Sequence, residues 1–159
     1  MNRLKLGIVT FGFLGSSPVA PGTFGTLGGV LIAWALAPSE NYLLWILAIS
    51  AGLYLVGRAL APWAERHAGG HDPGFFVIDE VIGYLLTVAW VTGPSALTLV
   101  VGFAAFRFFD ILKPPPIRRL ERIGGGDGIL LDDVMAGIYG FLVLALARFF
   151  VTGAGEWTI

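Results

Sequence analysis

Hydrophobic positions in this chain fall in long runs separated by short polar clusters, with little of the strict alternation that marks a strand. Residues 27–37 are apolar and are broken by Pro38-Ser39-Glu40-Asn41; residues 42–57 are apolar again and close at Arg58. A polar segment covers 58–80, residues 81–90 are apolar, Thr92-Gly93-Pro94-Ser95 makes a break, and 96–106 resume. A last apolar stretch, 134–150, is interrupted only by Arg148 and precedes a short tail. Leu, Ala and Gly dominate these runs, so the predicted fold is all-α: a compact multi-helix bundle of apolar helical hairpins in one domain, 1–159. Residues 7–26, rich in Gly, Ser, Thr and Pro and ending in APGTFGTLGG, read as loop and turn.

The hairpin breaks at 38–41 and 92–95 carry little charge, whereas the charged clusters lie at the hairpin bases. Threaded through a bilayer, Arg3, Lys5, Arg58, Arg66 and the cluster at 107–122 fall on one side, which is the positive-inside pattern with a cytoplasmic N-terminus. Composition agrees, with 56% hydrophobic and 13% charged residues. The expectation is therefore a membrane-embedded bundle, although runs of about 11–17 residues are short of the roughly 20 that a span needs. Glycines at 7, 12 and 15 interrupt the N-terminal apolar run, so no cleaved signal peptide is expected. A net charge of −1 argues against nucleic acid as a partner, and the absence of Cys excludes disulfides, thiol nucleophiles and Cys-ligated metal.

Seven of the eleven carboxylates lie in two neighbourhoods: Asp72, Asp79 and Glu80, then Asp110, Asp127, Asp132 and Asp133. The phrase VIDEVIG at 77–83 parallels LLDDVMA at 130–136, so an acidic pair, a Val and a small residue recur. Each pair is expected to open an apolar helix, where the positive end of the helix dipole favours anions. Gly83 and Gly137 each follow an acid by four residues and would let a helix or ligand approach closely. Asp72-Pro73 has the form of an N-cap with proline at the first helical position. Carboxylates about 4 Å apart repel by on the order of 4 kcal/mol at a surface-like dielectric, so converging pairs need shared protons or a cation. An oxygen-only ligand set points to Mg²⁺ or Mn²⁺, commonly bridging carboxylates to a phosphate. Arg107 and Lys113 flank Asp110 and suit a phosphate; Arg118, Arg119 and Arg122 suit a belt against anionic headgroups. His67 and His71 read as surface residues.

No Cys, no Asp-x-Asp-x-Thr/Val and no histidine-phosphatase arrangement is present, which leaves metal-assisted attack of water on phosphorus. The runs GTFGTL at 22–27, Asp72-Pro73 with VIDEVIG at 77–83, and FRFFDILKPPPIRRLE…GGDGILLDDVMAGIY at 106–139 resemble the phosphatidylglycerophosphatase A family. The resemblance implies a compact all-helical protein that removes the terminal phosphate of phosphatidylglycerophosphate with Mg²⁺, yielding phosphatidylglycerol at the bacterial inner membrane. The partners it implies are an anionic phospholipid substrate and the bilayer. Combined with the residues, the expectation is that Asp79, Glu80, Asp132 and Asp133 hold Mg²⁺ and that Asp72 and Asp110 complete or orient the site, which faces the cytoplasm. One of these acids activates the attacking water. Lys113 and Arg107 neutralise the phosphate, and a turn at 22–26, with Thr23 and Thr26, positions the headgroup. The rival reading is a small ion or proton-coupled transporter, which also uses acids and repeats within a membrane. Acids at hairpin bases beside basic residues favour the enzyme.

Overall fold

The computed structural model describes residues 2–120 and 122–152, with side chains as far as Phe150, so most of the predicted tail lies outside the described residues. Among the described residues there are helices and no strands: α1 (Asn2–Val9), α2 (Pro21–Leu36), α3 (Tyr42–Ala68), α4 (Ile78–Thr87), α5 (Ala96–Leu112), α6 (Ile117–Leu120) and α7 (Gly126–Thr152). The all-α fold with apolar hairpins is thus present: α2 and α3 join through 37–41, and α4 and α5 through 88–95.

The short helix α4 is the axis of the bundle. Eight of its ten residues are buried, and its most extensive partner is α7, followed by α2 and α3. Small residues make the α4–α7 contact possible. A Cβ on Gly137 would stand 2.3 Å from the Gly83 carbonyl oxygen, and one on Gly83 would stand 2.6 Å from that of Asp133, so the two backbones touch. The Thr87 hydroxyl sits over the same crossing, 3.0 Å from the Gly83 oxygen and 3.2 Å from that of Gly137. At the far end of α4, the Tyr42 hydroxyl donates to the Val88 carbonyl (3.1 Å) and the Tyr84 hydroxyl to that of Leu99 (3.0 Å). Buried hydroxyls that would otherwise lack partners thus lock α3 and α5 onto α4.

Four local expectations are corrected. Residues 21–26 form the first turns of α2: Pro21 takes an opening position that its fixed φ and missing N–H suit, and Gly25, Gly28 and Gly29 pack on Val77, Phe11 and Tyr84. Residues 2–9 are also helical. The helix expected to close at Arg58 runs 27 residues, to Ala68, because Ala61 and Ala64 continue the buried face; it stops at Gly69, whose φ of +73° ends it. Asp72 caps nothing. It is exposed with φ +49°, and α4 starts six residues later. Helix α7 begins at Gly126, packed against the Arg58 backbone, so Asp132 and Asp133 lie nearly two turns inside it and Asp127 takes the first turn. Both α3 and α7 are therefore long and apolar enough to cross a membrane, unlike the short runs read from the sequence.

Candidate active site

The first turn of α4 carries Asp79 and Glu80, and α7 brings Asp132 and Asp133 beside them. Asp79 is 6% exposed, and Asp132 and Asp133 are 4% exposed each. One carboxylate oxygen from each of Asp79, Glu80 and Asp133 can be chosen so that all three lie within 4.8 Å of one another. That spread is close to the roughly 4 Å that opposite ligands of one Mg²⁺ span. The end of α5 closes the ring: Arg107 pairs with Asp110 at 2.5 Å, and Lys113 donates to Asp132 at 2.9 Å. Lys113 is the residue that stops α5, in a left-handed conformation with φ +46°. A lysine held there at a cost of about 1–3 kcal/mol is over-determined by its surroundings, here the buried Asp132.

Burial governs the protonation of the α4 pair. It raises Asp79 well above the ordinary carboxylate range, with help from the charges of Glu80, Asp133 and Asp72. Burial raises Glu80 to about 7, while its hydrogen bond with Asp79 and the nearby Arg107 pull in the other direction. Asp133 faces Asp110, Glu80 and Asp132, and Asp72 acts on Asp79 and Asp132 from the rim. Six carboxylates thus share one end of the bundle with two predicted phosphate-binding cations. The Glu80 Oε2 and Asp132 Oδ1 atoms are buried and have no hydrogen-bond partner among the described residues. Buried carboxylate oxygens without a donor cost several kcal/mol when ionised, so this arrangement needs shared protons or a bound cation. The donor set is all oxygen, which suits a hard divalent ion.

The two threonines of α2 separate. Thr23 is half-buried in the first turn, beside Gly22, whereas Thr26 is fully buried and gives its hydroxyl to the Gly22 carbonyl (2.8 Å). Gly22 itself was expected in a turn, yet it packs its helical backbone on the site: a Cβ there would stand 2.4 Å from Glu80 Oε1 and 3.0 Å from Arg107 Nη1. Pro21, read as a helix-opening proline, is the signal that could have placed it. Asp127 lies apart from the acid group, accepting from the Tyr54 hydroxyl (2.7 Å) and Arg58 (3.1 Å). His71 is exposed and pairs with Glu65, and His67 stacks on Trp63, so neither joins the acids.

A family model described as phosphatidylglycerophosphatase A matches residues 7–148. The phosphatidylglycerophosphatase A of Haemophilus influenzae is 35% identical over 152 residues, 95% of this chain and 92% of that protein. The Escherichia coli protein of the same name is 34% identical over 143 residues, 86% of this chain and 82% of its own length. A Bacteroides thetaiotaomicron relative, 36% identical over 141 residues (86% of this chain, 89% of its own), carries a provisional phosphatidylinositol-3-phosphatase name. No solved structure gives a significant match. With its acid-lined helical site and a match over nearly its whole length, the chain belongs to the phosphatidylglycerophosphatase A family.

Proposed function

We propose that this chain is a Mg²⁺-dependent lipid phosphatase that hydrolyses phosphatidylglycerophosphate to phosphatidylglycerol and phosphate at the bacterial inner membrane, with its site facing the cytoplasm. The observation that carries the reading is the meeting of Asp79, Glu80 and Asp133, flanked by the Lys113–Asp132 and Arg107–Asp110 ion pairs, in an apolar chain of this family. Asp79, Glu80, Asp132 and Asp133 would hold the ion, and the buried Glu80 Oε2 and Asp132 Oδ1, which lack a hydrogen-bond partner among the described residues, support that assignment. When bound, Mg²⁺ polarises the phosphoryl oxygens and acidifies a water. Asp72 and Asp110 flank the ligands and orient them. One of these carboxylates would take a proton from the attacking water as its oxygen bonds to phosphorus, and would return it to the glycerol oxygen as the P–O bond to the lipid breaks, so that the lipid leaves as the alcohol. Lys113, which donates to Asp132 at the edge of the acid group, would also donate to a phosphate oxygen. Arg107 does the same from Asp110. Thr23, at the positive end of α2, contacts the headgroup.

The apolar helices α3 and α7 cross the bilayer and keep the site at the headgroup level. The transport reading has less support, since Asp79 and Glu80 open α4, Asp110 lies near the end of α5, and Asp132 and Asp133 lie within about the first two turns of α7, beside basic residues and not midway along a long helix. Purified protein in detergent should release phosphate from phosphatidylglycerophosphate with Mg²⁺ and stop with chelator. No release from that lipid, with release from phosphatidylinositol 3-phosphate in a parallel assay, would overturn the substrate while keeping the chemistry.

A further inference from the structure

The helices that frame the site at its phosphate end continue away from it as a pair. Gly22 and Arg107 touch, so α2 leaves the site as α5 arrives, and the two run antiparallel. Between them lies a groove of about 220 Å³ walled by Leu27 and Val30 on one side and Leu99, Val100 and Phe103 on the other. These walls stand in register with the site. Leu27 is one turn beyond Thr23 and Val30 about one more; Phe103 is one turn before Arg107, and Leu99 and Val100 about one more. The groove floor is closed, with Leu99 6% exposed and bonded through its carbonyl to Tyr84. Its rim is open, with Leu27 41% and Val100 67% exposed.

A molecule that fills both regions must join an anionic head to an unbroken apolar tail. Resting on the function proposed above, we infer that this groove seats an acyl chain of the phospholipid substrate. Lipid tails are as apolar as these walls, so the chain gains little affinity by entering. It gains direction: a tail laid between α2 and α5 aims the phosphate at Arg107, Lys113 and the acids. Misplacement by about 1 Å at a reacting centre costs on the order of 100-fold in rate, so a partly blocked groove should act on turnover more than on binding.

The test fills the groove from its exposed rim, where added bulk has room and the fold survives. Full-length Val100→Trp and Leu27→Trp are compared with Leu146→Trp, an exposed position on α7 outside the groove. Each is assayed with Mg²⁺ on dioleoyl phosphatidylglycerophosphate and on its water-soluble deacylated headgroup, and the thermal midpoint is recorded. The expected result is a kcat on the lipid lower by about tenfold in both groove variants, with a much smaller change on the headgroup and none in Leu146→Trp. Equal losses on both substrates, or undiminished lipid turnover in both groove variants, would overturn the groove. Wild-type protein that cleaves neither substrate would instead overturn the function on which the groove rests.

Discussion

A methyl group on Gly137 is the sharpest probe of how the acids are held. The Cβ of Gly137→Ala would stand 2.3 Å from the Gly83 oxygen, 3.0 Å from its carbonyl carbon and 3.1 Å from its Cα. All three atoms are backbone and none can swing aside. Ordinary contact begins near 3.4 Å, so relief of the oxygen contact alone needs 3.4 − 2.3 = 1.1 Å of separation between α4 and α7. Gly83 and Gly137 each lie four residues beyond an acid, Asp79 and Asp133, so the parting spreads the carboxylates directly. Overpacking costs about 1–3 kcal/mol, and alanine returns up to about 1 kcal/mol of helix propensity. Folding should therefore suffer modestly while turnover falls on the order of 100-fold. Phosphate release, Mg²⁺ titration by calorimetry and a thermal melt read the three quantities. Gly52→Ala, where a Cβ meets nothing within 4 Å, is the neutral control. A Gly137→Ala protein with wild-type turnover and Mg²⁺ affinity would refute the claim that this crossing sets the site.

Asp79→Asn and Asp132→Asn should each abolish Mg²⁺-dependent release; in chelator the thermal midpoint of Asp79→Asn stays or rises, because burial already disfavours the charged carboxylate there, whereas Asp132→Asn gives up the ion pair with Lys113 and melts lower; full activity in either would sink the metal assignment. Lys113→Ala should lower turnover at least tenfold and leave Asp132 without its ion pair, and Lys113→Arg should recover only part of it, since a guanidinium does not reproduce a point charge. Mg²⁺ must displace the proton that burial holds on Glu80 up to about pH 7, so apparent Mg²⁺ affinity should fall as pH drops below 7, with proton uptake on chelation; a pH-independent affinity between 6 and 8 would contradict this. The same raised carboxyls stabilise metal-free protein on the acid side and lose that contribution as pH rises through about 7, so chelated protein should melt earlier at pH 8 than at pH 6. Asp127→Ala should leave turnover within about twofold, with a stability change below about 1 kcal/mol, because its Arg58 partner is 58% exposed.

The two acidic pairs, the basic residues around Asp110 and the close-approach glycines were all legible in the sequence, since residue type and spacing alone announce them. Helix boundaries were less so. The run 126–131 begins GDGILL, and a glycine-rich start reads as loop until Gly126 is seen lying on the Arg58 backbone, where only a missing side chain fits. Asp72-Pro73 has the local signature of a cap, but the backbone turns left-handed there and defers the helix to Ile78. Gly22 was assigned to a turn because GTFGTLGG is poor in helix formers; tertiary packing of Gly22 and Gly29 on α4, and of Gly25 and Gly28 on Val77 and Phe11, outweighs their propensity. The ion pair of Lys113 with Asp132 spans 19 residues and a turn through three prolines, which no periodicity reveals.

Because α7 supplies Asp132 and Asp133 and follows α4 in the chain, a growing chain carries Asp79 and Glu80 for some time without their counterparts. During that interval no centre is assembled. Hydrolytic competence thus arrives only when α7 seats Gly137 against α4. A chain that stalls before that step lacks Asp132 and Asp133, acids that the proposed reaction uses.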